Sequence, residues 1–158
     1  MRIPAAIALT SLTLATTANA ETDYSAMIAQ NGLAATEADL FAITNPTPSD
    51  QFALGGVRFL SAVEGALQTL YATQINREMA EMSNLPLLRL PLPPNPDAVP
   101  FEPAVVSDVF TSALVDLDGS LTALDTITDA DDVAVTINTA DIWFDINGYG
   151  TREAGEGL

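Results

Sequence analysis

The longest periodic pattern in the chain lies at residues 47–74, TPSDQFALGGVRFLSAVEGALQTLYATQ. Thr47 is a typical helix N-cap, Pro48 follows at the first helical position, and Asp50 lies where a capping box places its acceptor. Apolar residues then recur at steps of three and four, the spacing of one helix face. They are Ala53, Gly56, Leu60, Val63, Leu67 and Leu70, flanked by Phe52, Phe59, Ala66 and Tyr71. The pattern predicts a long amphipathic helix over residues 48–82.

A second long amphipathic helix is predicted over residues 103–127, opened by Pro103. Its apolar residues share one stripe, formed by Val106, Phe110, Ala113, Leu117, Leu121 and Leu124. The acidic residues Asp108, Asp116, Asp118 and Asp125 fall largely off that stripe, which is the separation an amphipathic helix requires.

Between the two helices, residues 84–103 contain seven of the ten prolines in the chain. Proline lacks the backbone donor that a helix or a central strand needs, so neither is expected here. Leucines alternate with the prolines, and the segment is therefore too apolar for a solvated linker. We expect an extended arm across the helices, either simply packed on them or covering a ligand groove.

The remaining segments are shorter. Residues 24–29 and 36–43 predict two short helices, the second capped by Thr36. Residues 133–144 carry both a helical spacing and a strand-like alternation, of which the helix is favoured, with Trp143 or Phe144 in the core. The elements together predict an all-α fold, a single small helical domain over residues 21–158.

The first 20 residues have the organisation of an export signal. Met1-Arg2 is positively charged, residues 3–16 are mainly apolar, and Ala18-Asn19-Ala20 is a small-residue cleavage site. We therefore expect a secreted or periplasmic protein that begins at Glu21. No later stretch is long and apolar enough to predict a membrane span.

The expected mature chain is strongly acidic, with 4 basic against 21 acidic residues and a net charge of −17. Such a chain repels nucleic acid and anionic lipid, and it attracts divalent cations and basic partners. Histidine, cysteine and lysine are absent, which excludes Ser-His-Asp and Cys-His triads, Schiff bases and zinc sites of the usual ligands. A non-enzymatic role is therefore predicted.

The C-terminal stretch, residues 145–156, DINGYGTREAGE, places oxygen donors at the spacing of a calcium loop. Such a loop uses positions 1, 3, 7, 9 and 12, with glycine at position 6 for its sharp turn. These ligand positions are Asp145, Asn147, Thr151, Glu153 and Glu156, and Gly150 is the glycine. The stretch resembles the calcium loops of EF-hands and dockerins, and its Gly-Glu ending is similar to those of bacterial adhesin repeats.

The resemblance implies calcium as the ligand, and it covers only these twelve residues. Tyr149 stands at position 5 instead of a carboxylate or amide, and Arg152 stands at position 8 instead of an aliphatic residue. A lone weak site is therefore expected, with a dissociation constant on the order of 10⁻⁴ to 10⁻³ M. The alternative is a polar turn that binds no metal. An EF-hand would continue into an exit helix, so the chain is also consistent with the N-terminal part of a longer protein.

Residues 113–121, ALVDLDGSL, resemble the first motif of haloacid dehalogenase-like phosphatases. The resemblance implies Asp116 as nucleophile, Asp118 as acid-base and magnesium as cofactor. That family also requires a downstream lysine, which is absent, and only 37 residues follow Leu121. The phosphatase is therefore the least favoured hypothesis. The favoured one is a binding or structural module with a weak calcium loop, and the second is a metal-free scaffold that recognises a peptide or protein under the proline-rich arm.

Overall fold

The computed structural model of the chain describes residues 22–73 and 92–157. In these ranges it forms three α-helices, which we call α1 (Tyr24–Phe41), α2 (Pro48–Ala72) and α3 (Ala104–Leu124), and a 3-10 turn at Thr139–Asp141. Only two isolated β-bridges occur there, so the predicted all-α fold is confirmed. The predictions for the export signal, for residues 74–82 of the long helix and for residues 84–91 of the arm lie outside the described residues. Helix α2 already ends at Ala72, however, and Thr73 is extended, so the prediction of one unbroken helix over residues 48–82 was wrong.

Helix α2 begins as its capping box predicts. The Asp50 amide donates to the Thr47 hydroxyl at 3.2 Å, and the Asp50 carboxylate accepts from the Thr47 amide at 2.8 Å. The other carboxylate oxygen accepts from the Tyr24 hydroxyl at 2.9 Å. Asp50 therefore both starts α2 and ties it to the first turn of α1.

Helices α2 and α3 are antiparallel and approach closely at Gly55. A Cβ on Gly55 would lie 2.7 Å from the Leu124 Cγ, so only glycine fits without rearrangement. The Ser120 hydroxyl donates to the Gly55 carbonyl at 2.7 Å, and Arg58 donates from Nη1 to the Gly119 carbonyl at 2.9 Å. Towards the other end the two helices separate around a cleft of about 400 Å³, lined largely by small side chains from Ala62 to Ala72 and from Val105 to Ala113.

Most of the apolar stripe of α3 does not face this interface, although Leu124 contacts Gly55 and Ala113 lines the cleft. Only Ser120 and Ala123 are buried in the helix, whereas Val106, Phe110, Leu114 and Leu121 are exposed. An amphipathic helix usually turns its most apolar face inward. Here the close approach of α2 demands small residues at the contact, and they lie on another side of α3.

The two short helices predicted at residues 24–29 and 36–43 correspond to the two segments of α1, which are longer than predicted and meet at Gly32. Helix α1 is continuous apart from Gly32, whose φ of 75° and ψ of 177° interrupt the helical backbone. The Trp143 ring occupies the space beside Gly32, and its indole nitrogen donates to the Ile28 carbonyl at 2.7 Å. Thr36 is fully buried inside the helix, so its predicted role as an N-cap was wrong.

The helix predicted at residues 133–144 is absent, and the chain there is extended as far as the 3-10 turn. β-Branched residues at 133, 135, 136, 137 and 139 disfavour a helix. The backbone bonds to serine hydroxyls instead, with the Ala134 amide donating to Ser49 and the Asn138 amide donating to Ser25. Trp143 and Phe144 are both buried, which confirms their predicted place in the core.

The described part of the proline-rich arm is neither helix nor regular strand, as predicted, and it turns at Pro96-Asp97. The Asn95 side chain donates to the Tyr71 carbonyl at 2.8 Å, and the Val99 amide donates to the Ala72 carbonyl at 3.0 Å. Leu92 packs against the core. The arm is therefore fixed to the end of α2. Within residues 22–73 and 92–157, no helix combines the length and the apolar character needed to cross a membrane.

Replacement of Gly55 by alanine tests the close approach of α2 and α3. The added methyl group meets Leu124 and the Ser120 carbonyl, so Gly55→Ala should lower the free energy of unfolding by about 1–3 kcal/mol. Gly56→Ala is the matched control, because nothing lies within 4 Å of a Cβ there, and it should raise stability by up to ~1 kcal/mol. Chemical denaturation measures both. Equal effects of the two substitutions would contradict the packing described here.

Alkaline titration tests the contact between α1 and α2. Burial, with the hydrogen bond to Asp50 and its charge, raises the pKa of Tyr24 from 10.0 to about 12. Because the folded protein holds this proton more tightly than the unfolded chain, stability should fall as the pH rises from about 10 to about 12. Thermal melting across this range should show a shallower decline for Tyr24→Phe than for the parent protein. Identical profiles would mean that Tyr24 titrates as it does in the unfolded chain.

Candidate functional site

The loop at residues 145–156 is attached to α2 through its first residue. The Asp145 amide donates to the Glu64 carboxylate at 2.7 Å, and Gln68 donates from Nε2 to the Asp145 carbonyl at 2.8 Å. Glu64 and Gln68 lie four residues apart, one above the other on the helix surface. Ile146, the next residue of the loop, is buried. The start of the loop is thus held rigidly on the helix.

Glu156 closes the loop from its other end. Its side chain is only 3% exposed and points towards the start of the loop. Oε1 accepts from the Ile146 amide at 3.0 Å, and Oε2 accepts from the Glu153 amide at 2.7 Å. Its backbone carbonyl accepts from the Phe144 amide at 2.9 Å. Both carboxylate oxygens therefore have a backbone donor, and each keeps a second lone pair for another partner.

Asp145 has one satisfied and one unsatisfied oxygen. Oδ2 accepts from the Gly150 amide at 2.8 Å, which joins loop positions 1 and 6. Oδ1 is buried and has no hydrogen-bond donor. A buried carboxylate oxygen without a partner is costly and rare, and it calls for a partner such as a cation, a water or a proton.

The middle of the loop brings two more of the expected ligands together. Asn147 accepts from the Tyr149 amide at 3.0 Å and donates from Nδ2 to the Glu153 carboxylate at 3.0 Å. Gly150 has a φ of 73°, as expected for the glycine of the sharp turn, and Gly148 and Gly155 are left-handed too. The side chains of Thr151 and Tyr149 are exposed and bond to none of these residues. Hydrogen bonds thus connect three of the five predicted ligands, Asn147, Glu153 and Glu156. Asp145 is bonded to Gly150, Glu64 and Gln68 instead, and Thr151 stands apart.

Sequence reasoning missed Glu64. Burial raises the pKa of the Glu64 carboxyl, the charges of Asp145 and Glu156 raise it further, and the Asp145 amide lowers it. Three neighbouring carboxyl groups therefore repel one another at the junction of loop and helix. The available signal was a lone acid among Val63, Gly65 and Ala66, on a stretch of α2 that is otherwise small or apolar.

Carboxylates alone do not complete a metal site here. Among residues 22–73 and 92–157, no three Asp, Glu, His or Cys side chains converge closely enough to bind one ion. A cation at this loop would also need the Asn147 amide oxygen, backbone carbonyls or water, which are ordinary ligands of calcium. The unsatisfied Asp145 Oδ1 fits such an ion, whereas the double hydrogen bonding of Glu156 reduces what that residue can add.

The two alternative sites are the phosphatase motif and the groove under the proline-rich arm. Asp116 and Asp118 lie inside helix α3, so the strand end that the phosphatase motif requires is absent around them. Burial and the charge of Glu37 raise the pKa of the Asp116 carboxyl, and Arg58 partly offsets both. The cleft between α2 and α3 is not lined by residues 92–103, so the described part of the arm covers no groove there.

Comparison of the chain with protein-family models, with curated proteins and with solved structures finds no match.

Substitution of Glu156 by glutamine tests its role in closing the loop. The amide group would face the Ile146 or Glu153 amide with a second donor, and one backbone donor would lose its acceptor. In calcium-free buffer we expect Glu156→Gln to lower the free energy of unfolding by about 1–3 kcal/mol. Glu153→Gln is the control, because Glu153 is exposed and its amide oxygen can still accept from Asn147, so its effect should stay within ~0.5 kcal/mol. A more stable Glu156→Gln protein would show that repulsion among the carboxylates outweighs these hydrogen bonds.

Proposed function

We propose that the protein is an exported acidic helical module whose C-terminal loop binds calcium weakly. Export is proposed from the signal pattern of residues 1–20 alone. The observation that carries the calcium proposal is the buried Asp145 Oδ1 without a hydrogen-bond donor. It lies at the first ligand position of a loop whose glycine turn has the backbone that a calcium loop requires.

The loop residues have distinct parts in this proposal. Asp145 provides the unsatisfied oxygen, and Asn147 and Glu153, which are already hydrogen-bonded to each other, provide neighbouring oxygens. Glu156 holds the loop closed through the Ile146 and Glu153 amides and contributes at most its remaining lone pairs. Thr151 would contribute only its backbone carbonyl, as position 7 does in such loops. A bound divalent cation would offset the repulsion among Glu64, Asp145 and Glu156.

The proposed role is structural more than regulatory. Glu64 and Gln68 already hold the start of the loop on α2, so an ion there would strengthen an existing attachment rather than create one. With Tyr149 exposed and Glu156 hydrogen-bonded twice, the expected dissociation constant stays on the order of 10⁻⁴ to 10⁻³ M, typical of extracellular modules. The prediction of a non-enzymatic role remains a prediction.

Calorimetric titration and thermal melting with calcium test the site. At ~5 mM calcium and a dissociation constant near 0.5 mM, binding stabilises the fold by about 1.4 kcal/mol, which raises the melting temperature by a few degrees. Asp145→Asn should abolish the heat of binding and the thermal shift while keeping an oxygen that accepts from the Gly150 amide. Asp129→Asn is the matched control, because this acid is exposed and distant in sequence from the loop.

Two results would overturn the calcium proposal. The first is a parent protein that shows neither heat nor thermal shift at ~5 mM calcium, well above the expected constant. The second is an Asp129→Asn protein that loses as much affinity as Asp145→Asn, since that would mean diffuse attraction of cations by the net charge. Either result would leave the metal-free scaffold, which is supported by the closure of the loop through Glu156 hydrogen bonds alone.

A further inference from the structure

Helix α3 presents a continuous apolar stripe to solvent. Val106 is 45% exposed, Phe110 58%, Leu114 60% and Leu121 58%, and the half-buried Leu117 completes the row. We call these five residues the outer stripe. From Phe110 onward the steps are four, three and four, the spacing of a helix seam that packs on another helix. The outer stripe spans about 22 Å along the helix axis.

The packing of α3 on α2 fixes this exposure. The Ser120 hydroxyl bonds to the Gly55 carbonyl, and Ala123 is buried at the same interface. Rotation of α3 to bury the outer stripe would break this bond and the Arg58 bond to the Gly119 carbonyl. It would also remove the Leu124 side chain from the space that the missing Cβ of Gly55 leaves open. The stripe is therefore a surface feature of this fold.

The charged residues of α3 and of the chain segments next to it in sequence are all acidic. No lysine, arginine or histidine occurs between Arg89 and Arg152, whereas eleven aspartates and glutamates do. Asp118 on α3 and the C-cap residue Asp125 are exposed about 60–80° around the helix axis from Phe110. A partner covering the outer stripe thus meets apolar side chains bordered by negative charge.

We propose that the outer stripe of α3 docks a cationic amphipathic helix of a partner protein. A helix laid along α3 would pair its own leucine-type residues with Phe110, Leu114 and Leu121, in the way amphipathic helices occupy apolar surfaces. Its lysine or arginine flank would face Asp118 and Asp125. This surface lies on a different helix from the C-terminal loop, and the proposal does not depend on calcium binding.

Charge disfavours the other occupants. A second copy of the chain would bring an equal net charge of −16 against the same acidic border. An anionic lipid surface would be repelled for the same reason. Only a partner that supplies positive charge gains from both the apolar stripe and its border, and electrostatic steering would speed its association.

The test titrates the purified protein, in calcium-free buffer, with a designed peptide of about 18 residues that folds as a leucine-lysine amphipathic helix. A peptide with glutamate in place of every lysine is the charge control. Phe110→Ser and Leu114→Gln each remove one side chain of the outer stripe. Val115→Gln is the matched control, because Val115 is 68% exposed but lies about 140° around the helix from Phe110. Circular dichroism and melting confirm that the variants keep the parent fold.

The proposal expects the lysine peptide to bind and the glutamate peptide not to bind. Phe110→Ser and Leu114→Gln should each weaken binding at least ~10-fold, and Val115→Gln should change it by less than ~2-fold. Raising the salt concentration from about 0.05 to about 0.5 M should weaken binding further, because the charged border is screened. Two separate stripe variants keep the test decisive should one of them fail to fold.

Four outcomes would overturn it. A parent protein that does not bind the lysine peptide lacks the site, and stripe variants that bind as tightly as Val115→Gln place the peptide elsewhere. If sedimentation shows that the parent protein is a dimer and that Leu114→Gln is a monomer, the outer stripe binds a second copy of the chain. Binding to phosphatidylcholine vesicles that is lost in Leu114→Gln assigns it to a lipid surface.

Discussion

Ser120 donates its hydroxyl hydrogen to the Gly55 carbonyl at 2.7 Å, and this contact sets how the two long antiparallel helices meet. A serine hydroxyl can reach a backbone carbonyl of a neighbouring helix only where that helix carries no side chain in between. Gly55 meets that condition, and the Leu124 side chain fills the space beside it. The small residues Ser120 and Ala123 of α3 therefore lie at the interface. Of the larger apolar residues, Leu124 lies at the interface, whereas Phe110, Leu114 and Leu121 are left outside. The helices separate around a cleft towards their other ends.

Helix α2 is the platform on which α1, α3, the arm and the C-terminal loop are fixed. Asp50 binds the Tyr24 hydroxyl of α1, and Arg58 pairs with Glu37 at 2.8 Å while also binding α3. Glu64 and Gln68 hold the C-terminal loop, and the end of the helix binds the arm through Asn95. Most of these contacts join charged or polar side chains to backbone groups, which gives them direction as well as energy. Helix α2 contains three glycines that weaken it, and yet it makes the largest number of these contacts to other parts of the fold.

Negative charge is distributed unevenly over this platform. One group of carboxyls, Glu64, Asp145 and Glu156, is partly removed from water and satisfied mainly by backbone amides. Another group lies exposed along α3 beside apolar side chains. Carboxylates that are partly buried near one another favour a bound cation or proton, whereas exposed carboxylates around an apolar surface favour a basic protein partner. The calcium proposal thus follows from the partly buried carboxylates of the loop, and the docking proposal follows from the exposed carboxylates of α3.

The sequence alone was sufficient where structure is local. A capping box and a helix-length repeat identified the start of α2, because both depend on residues within a few positions of one another. Gly150 has the left-handed backbone that the loop alignment predicted, because a sharp turn depends only on its own residues. The absence of helix and regular strand at residues 92–102 followed from the prolines of this segment.

Tertiary structure decided everything that depends on distant partners. The face of α3 that is buried depends on a glycine 65 residues away, and no periodicity within α3 reveals it. Residues 133–138 are extended because two serines from other helices satisfy their backbone amides. Glu64 contacts the loop because α2 lies beneath it. Glu64 and its partner Asp145 are 81 residues apart in the chain. Periodicity shows how apolar a helix face is. Close packing also depends on the size of the residues on that face, and the neighbouring elements of the fold determine how small those residues must be.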